Sequence, residues 1–154
     1  MNKSNPKRSQ DLLSMEGILE ISGLDMMQGI LKGIYPPAPI SHILNYGLYA
    51  VEKGKVVFRG APTLECRNPM GTLHGGWYGT LLDSAMACAV MTTLPAGKIQ
   101  TTLEFKLNII RSVPIGTIVV SKFFGKRNGT YLYVSIVLIF SSFLLTYLNH
   151  FIFN

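Results

Sequence analysis

Asn68-Pro69-Met70-Gly71-Thr72-Leu73-His74-Gly75-Gly76, running on through Trp77-Tyr78-Gly79-Thr80-Leu81-Leu82-Asp83 to Val90, is the stretch on which the fold turns. Its first part holds Pro69 and Gly71, residues that interrupt regular structure and make turns. From Gly75 to Thr93 the chain becomes apolar, with Leu81, Leu82, Ala85, Met86, Ala89 and Val90. Strand-like alternation is absent there. The length of the run therefore predicts one long helix buried on most sides. Pro95-Ala96-Gly97 ends it.

On both flanks the pattern changes to strands. Thr101 to Ile110 alternates: Leu103, Phe105, Leu107 and Ile109 share one face, and Thr102, Glu104, Lys106 and Asn108 the other. That is the signature of a half-buried strand. Thr117 to Phe124 predicts another, followed by hairpin chemistry at Arg127-Asn128-Gly129. Tyr131 to Phe140 and Leu144 to Phe153 are the expected last two strands. Upstream, Gly47 to Ala50 and Val56 to Gly60 flank the turn residues Glu52-Lys53-Gly54-Lys55. Pro36, Pro37 and Pro39 make an extended link, with one helical turn expected at Ile40 to Leu44. Asp11 to Lys32 has helical apolar spacing weakened by Gly17, Gly23 and Gly29, so one or two short helices are expected. Residues 1–10 read as a disordered tail and 11–154 as a single domain. Antiparallel strands with one long central helix make an α+β domain.

The bulk numbers narrow the function classes. With 154 residues, 48% of them hydrophobic and only 14% charged, the chain has ample core for one domain and little charge for its surface. That balance favours an oligomer that buries apolar surface. The net charge of +6 attracts anions. The lysines and arginines are scattered without an aromatic-interleaved stripe, so no nucleic-acid partner is expected. Two cysteines, Cys66 and Cys88, cannot build a disulfide framework, and a reducing, cytoplasmic setting is expected. No apolar segment follows the positive charges of residues 1–10, so no signal peptide is expected. Residues 131–154 carry no charged side chain and are just long enough to span a bilayer as a helix. Tyr, Val, Ile, Phe and Thr dominate them, however, which favours two strands turning near Ser141-Ser142 and no membrane partner. His42, His74 and His150 lack paired-ligand spacing, so no metal is expected.

The chemistry gathers at the start of the long helix. A helix N-terminus offers free amides and partial positive charge. Glycines there let a ligand oxygen approach the backbone, as an oxyanion hole requires. Asp83 lies seven residues after Gly76, about two turns and ~10 Å along the same face. A carboxylate so far away cannot reach a carbonyl held at its own helix start. If both act in one reaction, two subunits with antiparallel helices must share the site. The plain alternative makes Asp83 a polar residue on a solvated helix face.

The run NPMGTLHGGWYGTLLDSAMACAV, followed by TTLEFKLNIIRSVPIG, resembles the phenylacetyl-CoA thioesterase-like (PaaI-type) group of hotdog proteins. The resemblance implies a curved antiparallel sheet wrapped around the long helix, with short helices ahead of it. It implies hydrolysis of acyl-coenzyme A thioesters to free acid and CoA, without a cofactor, in a homodimer or homotetramer with shared active sites. Asp83 is then the general base or the nucleophile, and the Gly75 amide an oxyanion donor beside Gly76. Asn68 holds the thioester carbonyl or the attacking water, or is only a turn former. His74 positions the loop, or is a structural histidine. Thr102, Asn108 and Arg111 lie on or near the strand that lines the pocket in such proteins, and Arg111 pairs with a CoA phosphate or is only a surface arginine. Met70, Trp77 and Tyr78 shape the acyl pocket or belong to the core. A non-catalytic acyl-CoA-binding protein of the same fold is the competing reading. The chain departs from its relatives at Phe140-Ser141-Ser142-Phe143, where they usually carry an acid and a glycine.

Overall fold

The computed structural model describes residues 12–128 and 131–140. The expected N-terminal tail, the tip of the last hairpin at 129–130, the Ser141-Ser142 turn and the expected strand 144–153 lie outside those residues. The chain starts with two short helices, α1 (Met15–Glu20) and α2 (Gly23–Leu31). Each begins at a serine cap. The Ser14 hydroxyl accepts from the Gly17 amide at 3.1 Å, and the Ser22 hydroxyl from the Asp25 amide at 3.2 Å. The pair is tied to the far end of the central helix, where the Gly23 amide donates to the Leu94 carbonyl and the Gly97 amide to the Leu19 carbonyl. A side chain at Gly23 would run into the Met91 carbonyl, which explains a glycine inside a helical pattern. A third short helix, α3 (Pro39–Ile43), starts at the last of the linker prolines.

Strands β1 (Tyr46–Glu52) and β2 (Lys55–Gly60) form an antiparallel hairpin, with Glu52 opposite Lys55. After β2 a loop that includes a 3-10 turn at Leu64–Cys66 leads into the long helix α4 (Gly75–Met91). Strands β3 (Val119–Asn128) and β4 (Tyr131–Phe140) complete a four-stranded sheet of order β1-β2-β3-β4, antiparallel throughout. Helix α4 packs on β2 and β3. The core joins Trp77, Leu81, Ala85 and Ala89 of the helix to Val56 and Phe58 of β2 and Val119 and Phe123 of β3. Burial of each large apolar side chain there contributes about 1.5–3 kcal/mol.

Two partly buried polar contacts set the helix relative to the sheet. The Trp77 indole N–H donates to the Leu44 carbonyl at 2.8 Å. The Gly54 amide at the tip of the β1–β2 hairpin donates to the Thr92 hydroxyl at 2.7 Å, and that hydroxyl donates to the Ala89 carbonyl at 2.6 Å. Thr92 is buried. Thr92→Val keeps the shape but strands the Gly54 amide, so it is expected to cost about 1–3 kcal/mol. A urea-unfolding midpoint unchanged from wild type would show that the hairpin tip satisfies its amide another way.

One expectation is corrected. Thr101 to Ile110 is not a strand: among the described residues it has no ladder partner. Nor is it half-buried, since Leu103 is 93% exposed and Ile110 70% exposed. Alternation records which side chains share a face, while a strand also needs a neighbouring backbone. Leu107 still packs against the core, and the segment lies along α4. Elsewhere among the described residues the expected elements stand, with β1 and β3 a few residues longer than their local signals. Among the described residues no helix is long and apolar enough to cross a membrane.

Candidate active site

The loop before α4 is held by its own side chains. The Asn68 carboxamide oxygen accepts from the Met70 amide at 3.0 Å and the Thr72 amide at 3.2 Å, and its nitrogen donates to the Thr72 hydroxyl at 2.8 Å. Gly71 supplies the left-handed residue of this turn, with φ of +80°. Arg67 and Leu73 form an isolated bridge, and the His74 amide donates to the Cys66 carbonyl at 2.9 Å. Asn68 thus builds the turn that delivers His74 and Gly75 to the helix start. Both ends of its carboxamide, the donating nitrogen and the accepting oxygen, are engaged within the loop.

His74 is the N-cap of α4. Its Nδ1 accepts from the Gly76 amide at 2.9 Å, and its carbonyl accepts from the Trp77 amide at 3.1 Å. A ring nitrogen that accepts carries no proton, so the hydrogen of the neutral ring sits on Nε2 in this arrangement. The capping leaves one early amide over. The Gly75 N–H, at the first helical position, has no acceptor among the described residues. Gly76 lacks that freedom, because its amide belongs to His74.

Asp83 is partly buried further along the helix. Its Oδ1 accepts from the Thr102 hydroxyl at 2.7 Å. Gly75, Gly79 and Asp83 recur every four residues and so share one face. The segment after α4 runs over that face in the opposite direction. Ile109 Cδ1 lies 3.4 Å from where a Cβ on Gly75 would stand, and the Phe105 ring lies 3.7 Å from the same point on Gly79. The Gly75 amide and Asp83 are eight residues apart, about 12 Å along one helix.

The remaining candidates divide. Thr102 meets Asp83. Asn108 and Arg111, in and just after that segment, are exposed, and Met70 is 82% exposed. Trp77 and Tyr78 are core residues, 2% and 4% exposed, and the Tyr78 hydroxyl accepts from the Val113 amide at 2.7 Å. Cys88, one turn beyond Ser84, is partly buried by area but crowded by protein. Burial, with the charge of Asp83 added, pushes its thiol up to about 12. The thiol therefore stays protonated near neutral pH and is a poor nucleophile. Among the described residues no group of three or more His, Cys, Asp or Glu gathers as a metal set. The contacts of Phe105 and Ile109 with the helix glycines were not anticipated from the sequence. The four-residue spacing Gly75, Gly79, Asp83 was the available signal.

Sheet, central helix and glycine-opened helix start define an α+β hotdog domain. Residues 70–139 match the thioesterase superfamily, and the fold is that of the PaaI-type hotdog thioesterases. The Escherichia coli PaaI protein of the phenylacetic acid degradation operon is similar at 17% identity and a TM-score of 0.66, over 81% of this chain and 88% of that one. A putative thioesterase from Ralstonia eutropha, a phenylacetic acid degradation-related protein, is 25% identical over 75% of this chain and 88% of its own, with a TM-score of 0.63. A Streptococcus mutans protein bound to acetyl-CoA is 22% identical over 63% of this chain and 77% of its own, with a TM-score of 0.55. Among curated proteins none matches the chain significantly in sequence.

Proposed function

We propose that the chain is an acyl-CoA thioesterase whose site is assembled from two copies. The observation that carries this reading is the Gly75 amide, without an acceptor among the described residues, on the same helix face as a carboxylate held by Thr102. The thioester carbonyl oxygen accepts from the Gly75 N–H of one copy, which stabilises the negative charge that develops on that oxygen. Asp83 of the second copy takes a proton from water as it attacks the carbonyl carbon, or attacks the carbon itself. Collapse of the tetrahedral intermediate breaks the C–S bond, and the CoA sulfur leaves as the thiolate. In the direct route, water then cleaves the anhydride formed on Asp83. Both routes end at free acid and CoA.

The roughly 12 Å between amide and carboxylate on one helix is too long for one substrate carbon to meet both. Two helices packed antiparallel bring Gly75 of one beside Asp83 of the other. The exposed Leu103, Ile109 and Ile110 on the adjoining segment are apolar surface suited to burial against a second copy. His74 acts as a positioning residue, since its cap decides which early amide is left for substrate. The superfamily match over 70–139 and the fold shared with a protein bound to acetyl-CoA support the substrate class. The test is thiol release from a panel of acyl-CoA esters, with light scattering at the same protein concentration. Release of CoA by a dimer or larger assembly is expected. Binding without release at every ester overturns the hydrolase reading, and an active monomer overturns the shared site.

A further inference from the structure

We propose that Phe105 sets the size of the acyl group, limiting the enzyme to compact acyl-CoA esters; this rests on the hydrolase reading above. The face of α4 that carries the Gly75 amide and Asp83 has Gly79 midway between them. The Phe105 ring rests there, 3.7 Å from the point a Cβ would occupy. Glycine provides the room for that ring. Phe105 is nonetheless 42% exposed, so the ring covers the glycine on one side and is open on the other. A group bound between the amide and the carboxylate meets that open side.

Symmetry sharpens the argument. If Gly75 of one copy meets Asp83 of another and the reverse also holds, the two-fold axis passes near the residue halfway between them. That residue is Gly79. Each Phe105 then stands between the two equivalent sites and closes the space into which an acyl chain would extend. Ile109, beside Gly75, continues the apolar wall on the amide side. The CoA portion is polyanionic and has no use for such a wall, whereas the acyl portion is apolar and does. Burial against Phe105 favours a short or compact acyl group, and the ring blocks a long one.

The test measures kcat/KM for acetyl-, butyryl-, hexanoyl- and decanoyl-CoA with wild type, Phe105→Ala, Phe105→Leu and Phe105→Trp. Wild type is expected to prefer the shorter esters. Phe105→Ala should raise the decanoyl-to-acetyl ratio by about tenfold or more, the scale on which a few methylenes are discriminated in an apolar pocket. Phe105→Leu should fall between, and Phe105→Trp should lower the ratio. The leucine and tryptophan variants keep the test open if the alanine variant fails to fold. Wild-type turnover with the same ratio in every folded variant overturns this inference alone. If wild type releases no thiol from any ester, the hydrolase reading falls, and the role of Phe105 with it.

Discussion

Asp83→Asn is expected to lower thioester hydrolysis by about 10²–10⁴-fold, the usual loss when a positioned base is removed. The substitution is nearly isosteric. The carboxamide oxygen still accepts from the Thr102 hydroxyl, which lies 2.7 Å from Asp83 Oδ1, so the local contact survives. What disappears is the ability to take a proton from water or to attack the thioester. The loss should appear in kcat, with KM for acyl-CoA little changed, because the Gly75 amide and the apolar wall are untouched. The other nearby candidate is Cys88, and its thiol is held protonated by burial and by the charge of Asp83 itself. Replacing Asp83 weakens that second effect, yet burial, the larger cause, remains. Full activity of a folded Asp83→Asn protein on the best wild-type substrate would remove Asp83 from the mechanism.

Gly75→Pro is the corresponding deletion of the oxyanion donor. Gly75 occupies the first helical position, where proline is well tolerated because its missing N–H has no helical partner. The residue before it must be extended, and His74 is, with φ of −66° and ψ of 135°. The helix should therefore form, while the early helix amide left without an acceptor among the described residues is gone. Loss of one oxyanion donor typically costs about 10²–10³-fold in kcat. Gly75→Ala is the control: its Cβ meets Ile109 Cδ1 at 3.4 Å, as the proline Cβ would, but its amide is retained. A proline variant as active as the alanine variant would free Gly75 of this role. Mixing Gly75→Pro chains with Asp83→Asn chains tests the shared site directly. A mixed pair carries one intact amide and one intact carboxylate at the same site, so about a quarter of wild-type activity is the statistical limit after random re-pairing. No recovery, with mixed assemblies shown to form, would confine both groups to one chain.

Much of this architecture was legible in the chain. The apolar run after Gly75 could only be a long buried helix, since its length and lack of alternation leave no strand reading. The Gly54 and Asn128 turn signals marked two hairpins, and the apolar spacing of Asp11 to Lys32 marked short helices, whose serine caps only the structure showed. Local patterns suffice there because caps, turns and apolar periodicity act over a few residues. The candidate pair, a glycine helix start and an acid two turns on, was visible for the same reason.

Tertiary structure decided what local patterns do not encode. Thr101 to Ile110 alternates as a strand should, but pairing needs a neighbouring backbone, and no described residue supplies one. Which early amide of α4 is left open depended on where the His74 ring turned, a matter of one side-chain torsion. Asn68 carries a residue type suited to holding a carbonyl, yet its carboxamide nitrogen donates to the Thr72 hydroxyl four residues away, and its oxygen accepts from the Met70 and Thr72 amides. Thr102 reached Asp83, and Phe105 reached Gly79, across separations of 19 and 26 residues. Contacts at such range depend on how the segment after α4 is laid back across the helix. Periodicity within either element determines only which face is available to meet it.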